Sequence, residues 1–351
     1  MNPPRRPPRH QGFTLVELMV AVAIGLFLLA GLSSLLVANV KTRSELDKSS
    51  RQIENGRYAL HLLGDELQLA GFVGVSSSTA FGTVAPVACP ATIAELGYTA
   101  TTSPGTSNVP FPIYALSTAP GCLENVKANT AVVVLSRVST NVTAAASPSA
   151  AEIYFQLSTC ATDTLPFIVA GGTASNFTLK QKDCLASNPS ALRKVVQRIY
   201  FVSTCNECGT DTIPTLKVAE YVNGAMSIKP LVEGIENFQM DYGIDMDANG
   251  SPDCYTSNPG SPPAAEVATA VCPQTTPAYD WTVANTNWSN VVAVRVHVLA
   301  RNTETSPGWT DTRTYDMGLG TGVVGPFNDA TKRHVYSTVS RLMNVAGQRE
   351  Q

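Results

Sequence analysis

The sequence predicts an α+β fold, in which one long N-terminal helix packs on antiparallel β-sheet and precedes an enlarged β-rich region. Three observations support this prediction. A run rich in Leu, Ala and Met, without proline, extends over residues 15–38. A polar segment with a seven-residue apolar repeat follows it. The remainder of the 351 residues consists of short valine-rich or alternating segments separated by clusters of Gly, Pro, Asn and Ser.

The apolar run is long enough to cross a membrane. At about 1.5 Å per residue, a helix over residues 13–38 spans roughly 39 Å, and a bilayer core is about 30 Å thick. The leader before it carries Arg5, Arg6 and Arg9 and no acidic residue, which is typical of the positive flank of a membrane span. A secretory signal peptide has an apolar region of only about 7–15 residues. We therefore expect residues 13–40 to be a transmembrane segment.

Glu17 is the one ionisable residue between Leu15 and Ala38. A carboxylate in lipid costs free energy and is therefore a candidate functional group. A simple membrane anchor would have no use for it. Its presence indicates that the helix does more than hold the protein in a bilayer.

Residues 41–74 are predicted to continue the helix as an amphipathic segment. Apolar residues at heptad spacing form one stripe with two neighbours, namely Leu46, Ile53, Leu60 and Leu67 with Leu63 and Ala70. This pattern predicts that one face of the helix packs on a sheet. Gly71 is suited to end the helix, whereas Gly56 is expected to be a weak point inside it.

The rest of the chain is predicted to form two β regions, over residues 75–193 and 194–351. Residues 75–125 are expected to be a variable loop, because hydrophobic periodicity is lost there. Strands are predicted at residues 130–138, 152–157, 167–170 and 176–181 in the first region, and at 195–202, 215–222, 225–229, 291–300, 312–317 and 334–343 in the second.

The hexapeptide GFTLVE at residues 12–17, with the basic leader of residues 1–12, resembles the class III signal of type IV prepilins and type II secretion pseudopilins. The resemblance implies that a prepilin peptidase of the membrane cleaves after Gly12 and methylates the new amine of Phe13. It also implies that Glu17, the fifth residue of the mature chain, meets the Phe13 amine of a neighbouring subunit. Opposite charges attract strongly in a low-dielectric medium, so this contact would fix the register between subunits.

Further segments resemble the PilW family of minor pilins: ENGRYAL at 54–60, LAGF at 69–72, LVEGIENFQMDYG at 231–243 and RLMN at 341–344. The resemblance implies a non-enzymatic minor pilin that primes type IV pilus assembly at or near the pilus tip. It implies a single-pass inner-membrane protein before assembly, with its globular part in the periplasm or outside the cell. The implied partners are other minor pilins, the major pilin, a PilY-type tip adhesin and an inner-membrane assembly platform driven by an ATPase.

Two alternatives stay open at this point. A large J-type pseudopilin of type II secretion would carry the same N-terminal signal, but the PilW-like segments do not favour it. A pilin-anchored adhesin or carbohydrate-binding module is favoured if Trp281, Trp288 and Trp309 cluster on an exposed face. No enzyme is expected, because no nucleophile, phosphate-binding or dinucleotide motif occurs. The four histidines show no metal-ligand spacing: His10, His61, His297 and His334.

Composition argues against nucleic acid as a partner. The formal net charge is −3, and removal of the three leader arginines reduces the 24 Lys and Arg residues to 21 against 27 Asp and Glu, or −6. Sequence-independent binding to a phosphate backbone needs a basic surface. No basic tract remains after the leader.

Eight cysteines follow the helix: Cys89, Cys122, Cys160, Cys184, Cys205, Cys208, Cys254 and Cys272. An even number in an exported domain predicts disulfides, and we expect sequential pairing among the roughly 105 connectivities that eight cysteines allow. Two residues separate Cys205 from Cys208, so a redox motif and half of a zinc site are alternatives. A redox motif would need a thioredoxin-like βαβ setting, and zinc would need a second close pair; the sequence offers neither.

An acidic loop has the spacing of a calcium ligand set. Side-chain oxygens occupy loop positions 1, 3, 5 and 9, with glycine at position 6: Asp245, Asp247, Asn249 and Asp253, with Gly250. Position 12 is Thr256 in place of the bidentate glutamate, so binding would be weak. The alternative is a polar hairpin tip, because Asn-Gly alone favours a turn. No cofactor is required, and calcium is the one ion for which the sequence offers ligands.

We predict that the chain is cleaved between Gly12 and Phe13, because the basic leader and the hexapeptide at residues 12–17 together form the signal. Mass spectrometry of the N-terminal peptide, from protein extracted from membranes, should find methylated Phe13 as the first residue. A mature chain that starts at any other residue would contradict this interpretation of the signal.

Overall fold

The computed structural model describes residues 12, 14–74, 81–103, 105–222, 224–267, 272, 275 and 277–350. The chain divides into two compact units, residues 1–50 and residues 51–351. Phe13 and residues 1–11 of the leader lie outside the described residues, so their predicted roles stay predictions.

The longest element is helix α1, Leu15–Leu69, which contributes to both units. In the first unit its apolar side chains are exposed; Leu18, Leu26 and Leu32, for example, are each more than 60 % exposed. Among the described residues, α1 is the one helix long and apolar enough to cross a membrane, and its most apolar window buries no residue. These features fit the transmembrane segment that the sequence predicts.

In the second unit, α1 buries a face that the sequence predicted only in part. The buried residues are Gln52, Gly56, Ala59, Leu63 and Leu67. The predicted stripe is wrong at its N-terminal end, because Leu46 and Ile53 are 63 % and 42 % exposed. A prediction from the spacing of leucines identifies the most apolar face of a helix as the buried face. Here the helix instead contacts the sheet through small and polar residues that allow the two backbones to approach closely.

Gly56 is a point of close approach between helix and sheet, which corrects the expectation that it weakens the helix. A Cβ atom at Gly56 would lie 2.3 Å from Cε2 of Tyr336, so a side chain does not fit there. One turn earlier, Nε2 of Gln52 donates to the backbone oxygens of Ala300 and Lys332, at 2.8 and 3.1 Å. A glycine and a glutamine therefore dock this part of the helix.

The end of α1 is tied to the sheet. Gly71 has φ of 74°, a left-handed conformation that glycine adopts readily. Its N–H donates to the carbonyl oxygen of Ser136 at 2.9 Å. The Asn344 side chain donates to the carbonyl oxygen of Ala70 at 3.2 Å. Both bonds connect the C-terminal end of the helix to residues distant in sequence.

The described residues contain fifteen strands and three further short α-helices. The strands are β1 (Gly82–Val84), β2 (Asn108–Pro110), β3 (Ile113–Ala115), β4 (Val132–Val138), β5 (Ile153–Leu157), β6 (Phe167–Gly171), β7 (Leu192–Ser203), β8 (Thr215–Val222), β9 (Ala225–Glu233), β10 (Ile235–Ile244), β11 (Cys254–Thr256), β12 (Val291–Arg301), β13 (Tyr315–Asp316), β14 (Val323–Val324) and β15 (Arg333–Arg341). The helices are α2 (Ala264–Val267), α3 (Ala284–Ser289) and α4 (Met343–Arg349).

Two antiparallel sheets form the body of the second unit. In the larger sheet the strand order is β3-β4-β7-β5-β6, with β8 also paired to β7 and β9 paired to β8. The twelve residues of β7 pair with β4 along one edge and with β5 and then β8 along the other. The smaller sheet has the order β11-β10-β12-β15. The predicted α+β fold, with a long helix and an enlarged antiparallel β region, is confirmed.

The chain passes from the larger to the smaller sheet at Gly234, whereas the sequence placed a division between residues 193 and 194. That division falls inside β7, which belongs to the same sheet as β3–β6. Gly234 has φ of 72°, and a Cβ atom there would lie 2.8 Å from the carbonyl oxygen of Arg301. Alternation along a strand indicates which face is buried but not which sheet the strand joins.

Most predicted strands are confirmed, and the exceptions have physical reasons. Residues 176–181 form no strand, because the buried side chain of Gln156 pairs with both the N–H and the carbonyl of Leu179. The strand predicted at 312–317 shortens to Tyr315–Asp316. Helix α4 was not predicted; it has seven residues and no side-chain cap, so the sequence carries no start signal for it.

One apolar core joins the helix to both sheets. It includes Leu63 of α1, Tyr200 of the larger sheet and Val296 of the smaller sheet. A main-chain bond also connects the sheets, because the N–H of Ala131 donates to the carbonyl oxygen of Phe238 at 2.9 Å. Complete burial of a large apolar side chain contributes about 1.5–3 kcal/mol, so this shared core holds residues 51–351 together as one unit.

We predict opposite effects of alanine at two glycines of α1. Gly56→Ala should lower the free energy of unfolding by about 1–3 kcal/mol, the usual cost of overpacking, because its Cβ would collide with the Tyr336 ring. Gly64→Ala is the matched control, since nothing lies within 4 Å of its Cβ position; alanine there should stabilise the protein by up to about 1 kcal/mol.

Denaturant unfolding of the purified full chain would measure both variants. A Gly56→Ala protein that is as stable as the Gly64→Ala protein would contradict the close approach of Gly56 and Tyr336.

Candidate functional site

The start of α1 forms a capping box. The Glu17 N–H donates to Oγ1 of Thr14 at 3.3 Å, and the Thr14 N–H donates in return to Oε2 of Glu17 at 2.9 Å. The Thr14 hydroxyl also donates to Oε2, at 2.9 Å. The spacing Thr-x-x-Glu is the sequence signal for this arrangement. The sequence analysis identified Glu17 but missed the role of Thr14.

The capping box leaves part of the Glu17 carboxylate available. Both bonds to the carboxylate end on Oε2, and Oε1 accepts no hydrogen bond from the described residues. Glu17 can therefore cap its own helix and present a second oxygen to a cation. A carboxylate among exposed apolar side chains has a strong tendency to pair with an opposite charge where water is scarce. Gly12 is exposed, and Phe13 lies outside the described residues.

All eight cysteines pair in the order of the sequence. The disulfides are Cys89–Cys122, Cys160–Cys184, Cys205–Cys208 and Cys254–Cys272. The first restrains the long segment before β4, and the last joins β11 to the segment before α3. Neither a zinc site nor a free thiol is formed by the eight cysteines.

The acidic loop after β10 brings three carboxylates together, with ligand oxygens of Asp245, Asp247 and Asp253 within 4.8 Å of one another. Asp245 is buried and accepts hydrogen bonds from the N–H groups of Asn249 and Gly250, at 3.1 and 3.0 Å. The Asp253 carboxylate accepts from the N–H of Met246, and Asn249 bonds to Asp247. The loop is therefore a hairpin tip whose carboxylates bond its own backbone.

Arg349 of α4 reaches into this loop, which no sequence pattern indicated. Its Nη1 lies 3.1 Å from Oδ2 of Asp245. Burial raises the pKa of Asp245, but hydrogen bonds from the Gly250 amide and the Arg349 guanidinium outweigh it, so the pKa lies below its ordinary value. A calcium ion at the loop would share Asp245 with this guanidinium, and calcium binding stays a prediction.

A buried ionic network lies where β10, β15 and the segment between β12 and β15 meet. The Arg333 guanidinium bonds to Glu236, to Asp311 at 2.9 Å and to Asp329 at 2.7 Å. The hydrogen bond from Arg333 lowers the pKa of Asp329 to about 2. Phe327 covers the guanidinium, with Cζ 3.9 Å from the ring centroid. The network is structural, because it fixes the segment before β15 against β10.

Asp241, His297 and Ser337 form a chain of contacts on the outer face of the smaller sheet. Oγ of Ser337 lies 3.0 Å from Nδ1 of His297, and Nε2 of His297 lies 3.3 Å from Oδ2 of Asp241. The Leu319 N–H donates to Oδ1 of Asp241 at 2.9 Å. Gly318 lies so close that a Cβ there would be 2.8 Å from both Asp241 oxygens and from Nε2 of His297. This arrangement anchors the loop before β14 to the sheet.

A cavity of about 720 Å³ is lined by residues of β3 in the larger sheet and of β10 in the smaller sheet. Tyr114, Tyr242 and Trp288 line part of it, and Asn, Gln, Ser and Thr side chains line much of the rest. Trp288 is 3 % exposed and packs against Tyr242 and Tyr114, so it offers no open ring face for stacking on a sugar.

The tryptophans form no common exposed patch. Trp281 is half-buried against Tyr279, and Trp309 lies half-buried near Arg313. With Trp288 in the core, the condition that would favour a carbohydrate-binding module is not met.

Two family models match the chain. Residues 199–344 match the model described as Type IV Pilus-assembly protein W. Residues 7–33 match the Prokaryotic N-terminal methylation motif. The first match extends from within β7 to the start of α4 and includes Glu236 and Arg333. No curated protein and no solved structure matches the chain.

We predict that the acidic loop binds Ca²⁺ weakly. Without the twelfth-position glutamate, the affinity should be in the range of roughly 10⁻⁴–10⁻³ M. At a tenfold excess of Ca²⁺ over the dissociation constant, binding stabilises the native state by about 1.4 kcal/mol. Thermal unfolding of the full chain with millimolar Ca²⁺ should therefore occur at a higher temperature than with a chelator.

The variant for this test is Asp247→Asn, which changes an exposed residue of the loop. The control is Asp316→Asn, which changes an exposed aspartate outside the loop. Only the first should abolish the Ca²⁺ effect. Equal melting temperatures of the unsubstituted protein in both conditions would show that the loop is an ordinary turn.

Proposed function

We propose that this chain, which belongs to the PilW family of type IV pilins, primes the assembly of the type IV pilus and lies at or near the pilus tip. Its two family matches, at residues 7–33 and 199–344, support a membrane-anchored minor pilin that is a structural component of the pilus. Priming and tip placement are the proposal. A type II secretion pseudopilin is not favoured, because the match over residues 199–344 is to the pilus-assembly family.

The observation that carries the proposal is the exposed apolar surface of α1 in the first unit, together with its Glu17 carboxylate. Its apolar side chains are exposed over residues 15–40, and one carboxylate oxygen of Glu17 accepts no hydrogen bond from the described residues. Exposed apolar surface of this extent needs lipid or other helices around it. A helix that can lie first in a bilayer and then among similar helices satisfies this requirement in both places.

Placement at the end of the filament is supported by the size of the second unit. Residues 51–351 form one compact unit. A subunit inside a helical array has neighbours on both sides, whereas a terminal subunit contacts neighbours on one side only. A large β unit with long loops is easier to accommodate at such an end.

The partners and compartments follow from this proposal. The prepilin peptidase would process the chain at Gly12, and residues 13–40 would cross the inner membrane before an assembly platform extracts them. Other minor pilins, the major pilin and a PilY-type adhesin would contact the assembled subunit. The four disulfides favour an oxidising compartment for residues 51–351, which fits a globular part in the periplasm and then at the cell surface.

Two substitutions at Glu17 test the assembly contact. Glu17→Ala removes both the charge and the capping box, whereas Glu17→Gln keeps a side chain that can complete the box but removes the charge. We expect both variants, each as the only copy in the cell, to be processed and inserted in the membrane but to be absent from pili. Loss of the cap alone costs only about 1 kcal/mol of helix stability, so it should not prevent insertion.

Immunoblots of membranes and of sheared pili would measure both steps. Normal piliation and incorporation of the Glu17→Gln protein would show that the charge of Glu17 makes no assembly contact.

A further inference from the structure

The disulfide Cys205–Cys208 contains the one exposed residue among the eight cysteines; Cys89, Cys122 and Cys184 are half-buried, and the others are buried. It lies in the loop between β7, which ends at Ser203, and β8, which begins at Thr215. Cys205 is 6 % exposed, whereas Cys208 is exposed to solvent. The Cys254–Cys272 pair, by contrast, is buried, with the two residues 3 % and 1 % exposed. Cys208 is therefore the member of the pair that a thiolate from solvent would approach.

Hydrogen-bond donors surround both sulfur atoms. The hydroxyls of Ser203 and Thr204 lie 3.7 Å from Sγ of Cys205. Nζ of Lys217 lies 3.7 Å from Sγ of Cys208. A disulfide sulfur is a weak acceptor, whereas a thiolate is a strong one that nearby lysines stabilise. The donors suit the reduced pair better than the oxidised pair.

Lys217 is the strongest indication. It is 8 % exposed, and among the described residues its ammonium has Sγ of Cys208 as its hydrogen-bond partner and no carboxylate within ion-pair distance. A buried ammonium without an anion is unfavourable. The carboxylate of the nearby Asp211 attracts Lys217, but it lies beyond ion-pair distance, and its oxygens accept from the N–H groups of Asn206, Glu207 and Ile213. A Cys208 thiolate would give Lys217 a negative charge in direct contact.

Reduction would leave the surrounding structure in place. The Cys205–Cys208 bond spans 3 positions in sequence, whereas the other disulfides span 33, 24 and 18. The contribution of a disulfide to stability grows with the length of the loop that it closes. The pairing of β7 with β8 and the Asp211 carboxylate hold the loop independently of the disulfide. The two thiols would stay close enough to form the bond again.

We propose that Cys205–Cys208 is a thiol–disulfide exchange site that accepts two electrons from a dithiol. A thiolate of the dithiol attacks Sγ of Cys208, a new S–S bond forms, and the Cys205–Cys208 bond breaks. The electron pair leaves on Sγ of Cys205, which accepts hydrogen bonds from Ser203 and Thr204. The second thiol of the dithiol then loses its proton to solvent. The resulting thiolate attacks the dithiol sulfur that is bonded to Cys208, which forms the S–S bond of the oxidised dithiol and breaks the mixed disulfide.

This second step releases Cys208 as a thiolate beside Lys217. The dithiol becomes a disulfide and loses two electrons and two protons, and the cysteine pair gains the two electrons. The site does not depend on tip placement, because it requires only that the loop be exposed in a compartment where disulfides form.

Dithiothreitol is a suitable dithiol probe for the full chain in detergent. At intervals, free thiols are trapped with a maleimide. The remaining disulfides are then reduced, and their thiols are labelled with an isotopic form of the same maleimide. Mass spectrometry of the peptides measures how much of each cysteine carries each label. We expect Cys205–Cys208 to be reduced at least about tenfold faster than each of the other three pairs. Reduction no faster than that of the other pairs would overturn the proposal.

Variants of Lys217 test its role at equilibrium in buffers of reduced and oxidised dithiothreitol. Lys217→Met should lower the equilibrium constant for reduction of Cys205–Cys208 by about tenfold, and Lys217→Arg, which keeps the charge, should restore it in part. Lys229→Met changes an exposed lysine of β9 and should have no effect. The other three disulfides report on folding, because unfolding would accelerate the reduction of all four. Equal constants for the Lys217→Met and Lys229→Met proteins would overturn the role of Lys217.

Discussion

The docking of the C-terminal part of α1 on the two sheets is the contact on which the rest of the structure depends. Gly56 allows the helix backbone to meet the Tyr336 ring, and Gln52 bonds to two strand carbonyls. Leu63 and Leu67 then enter a core that both sheets share. Because the same helix segment packs in the core that both sheets share, it helps to hold the two sheets together. Residues 51–351 are therefore one unit although they contain two sheets.

The two parts of α1 satisfy opposite physical requirements. Residues 15–40 expose apolar side chains, which need lipid or other helices, and one oxygen of Glu17 accepts no hydrogen bond from the residues that the structure describes. Residues 51–69 bury one face against strands and carry polar groups on the other. Among the described residues of the second unit, the buried charged side chains other than Lys217 lie within ion-pair distance of an opposite charge, as in the Arg333 network. Lys217 instead has a disulfide sulfur as its hydrogen-bond partner, and the proposed exchange site at Cys208 rests on this contact.

The sequence predicted features that depend on local pattern and missed those that depend on distant contacts. The apolar helix, the end near Gly71 and the valine-rich strands all carry their signals within a few residues. The Arg333–Glu236 contact joins residues 97 positions apart, and no local pattern indicates it. The same limit explains the errors at Leu46 and Ile53, since contacts with residues distant in sequence, such as Tyr336 and Ala300, determine which helix face is buried. The four disulfides follow the predicted order because each closes a segment of modest length.

The central claim is that this minor pilin primes assembly and stays at the end of the filament. Electron microscopy of sheared pili, labelled with gold-conjugated antibody against residues 51–351, tests it most directly. The account predicts label at one end of the filaments, and pili should become rare when the chain is absent. Label distributed along the filament length, or unlabelled filaments in normal number with the protein confined to membranes, would contradict it.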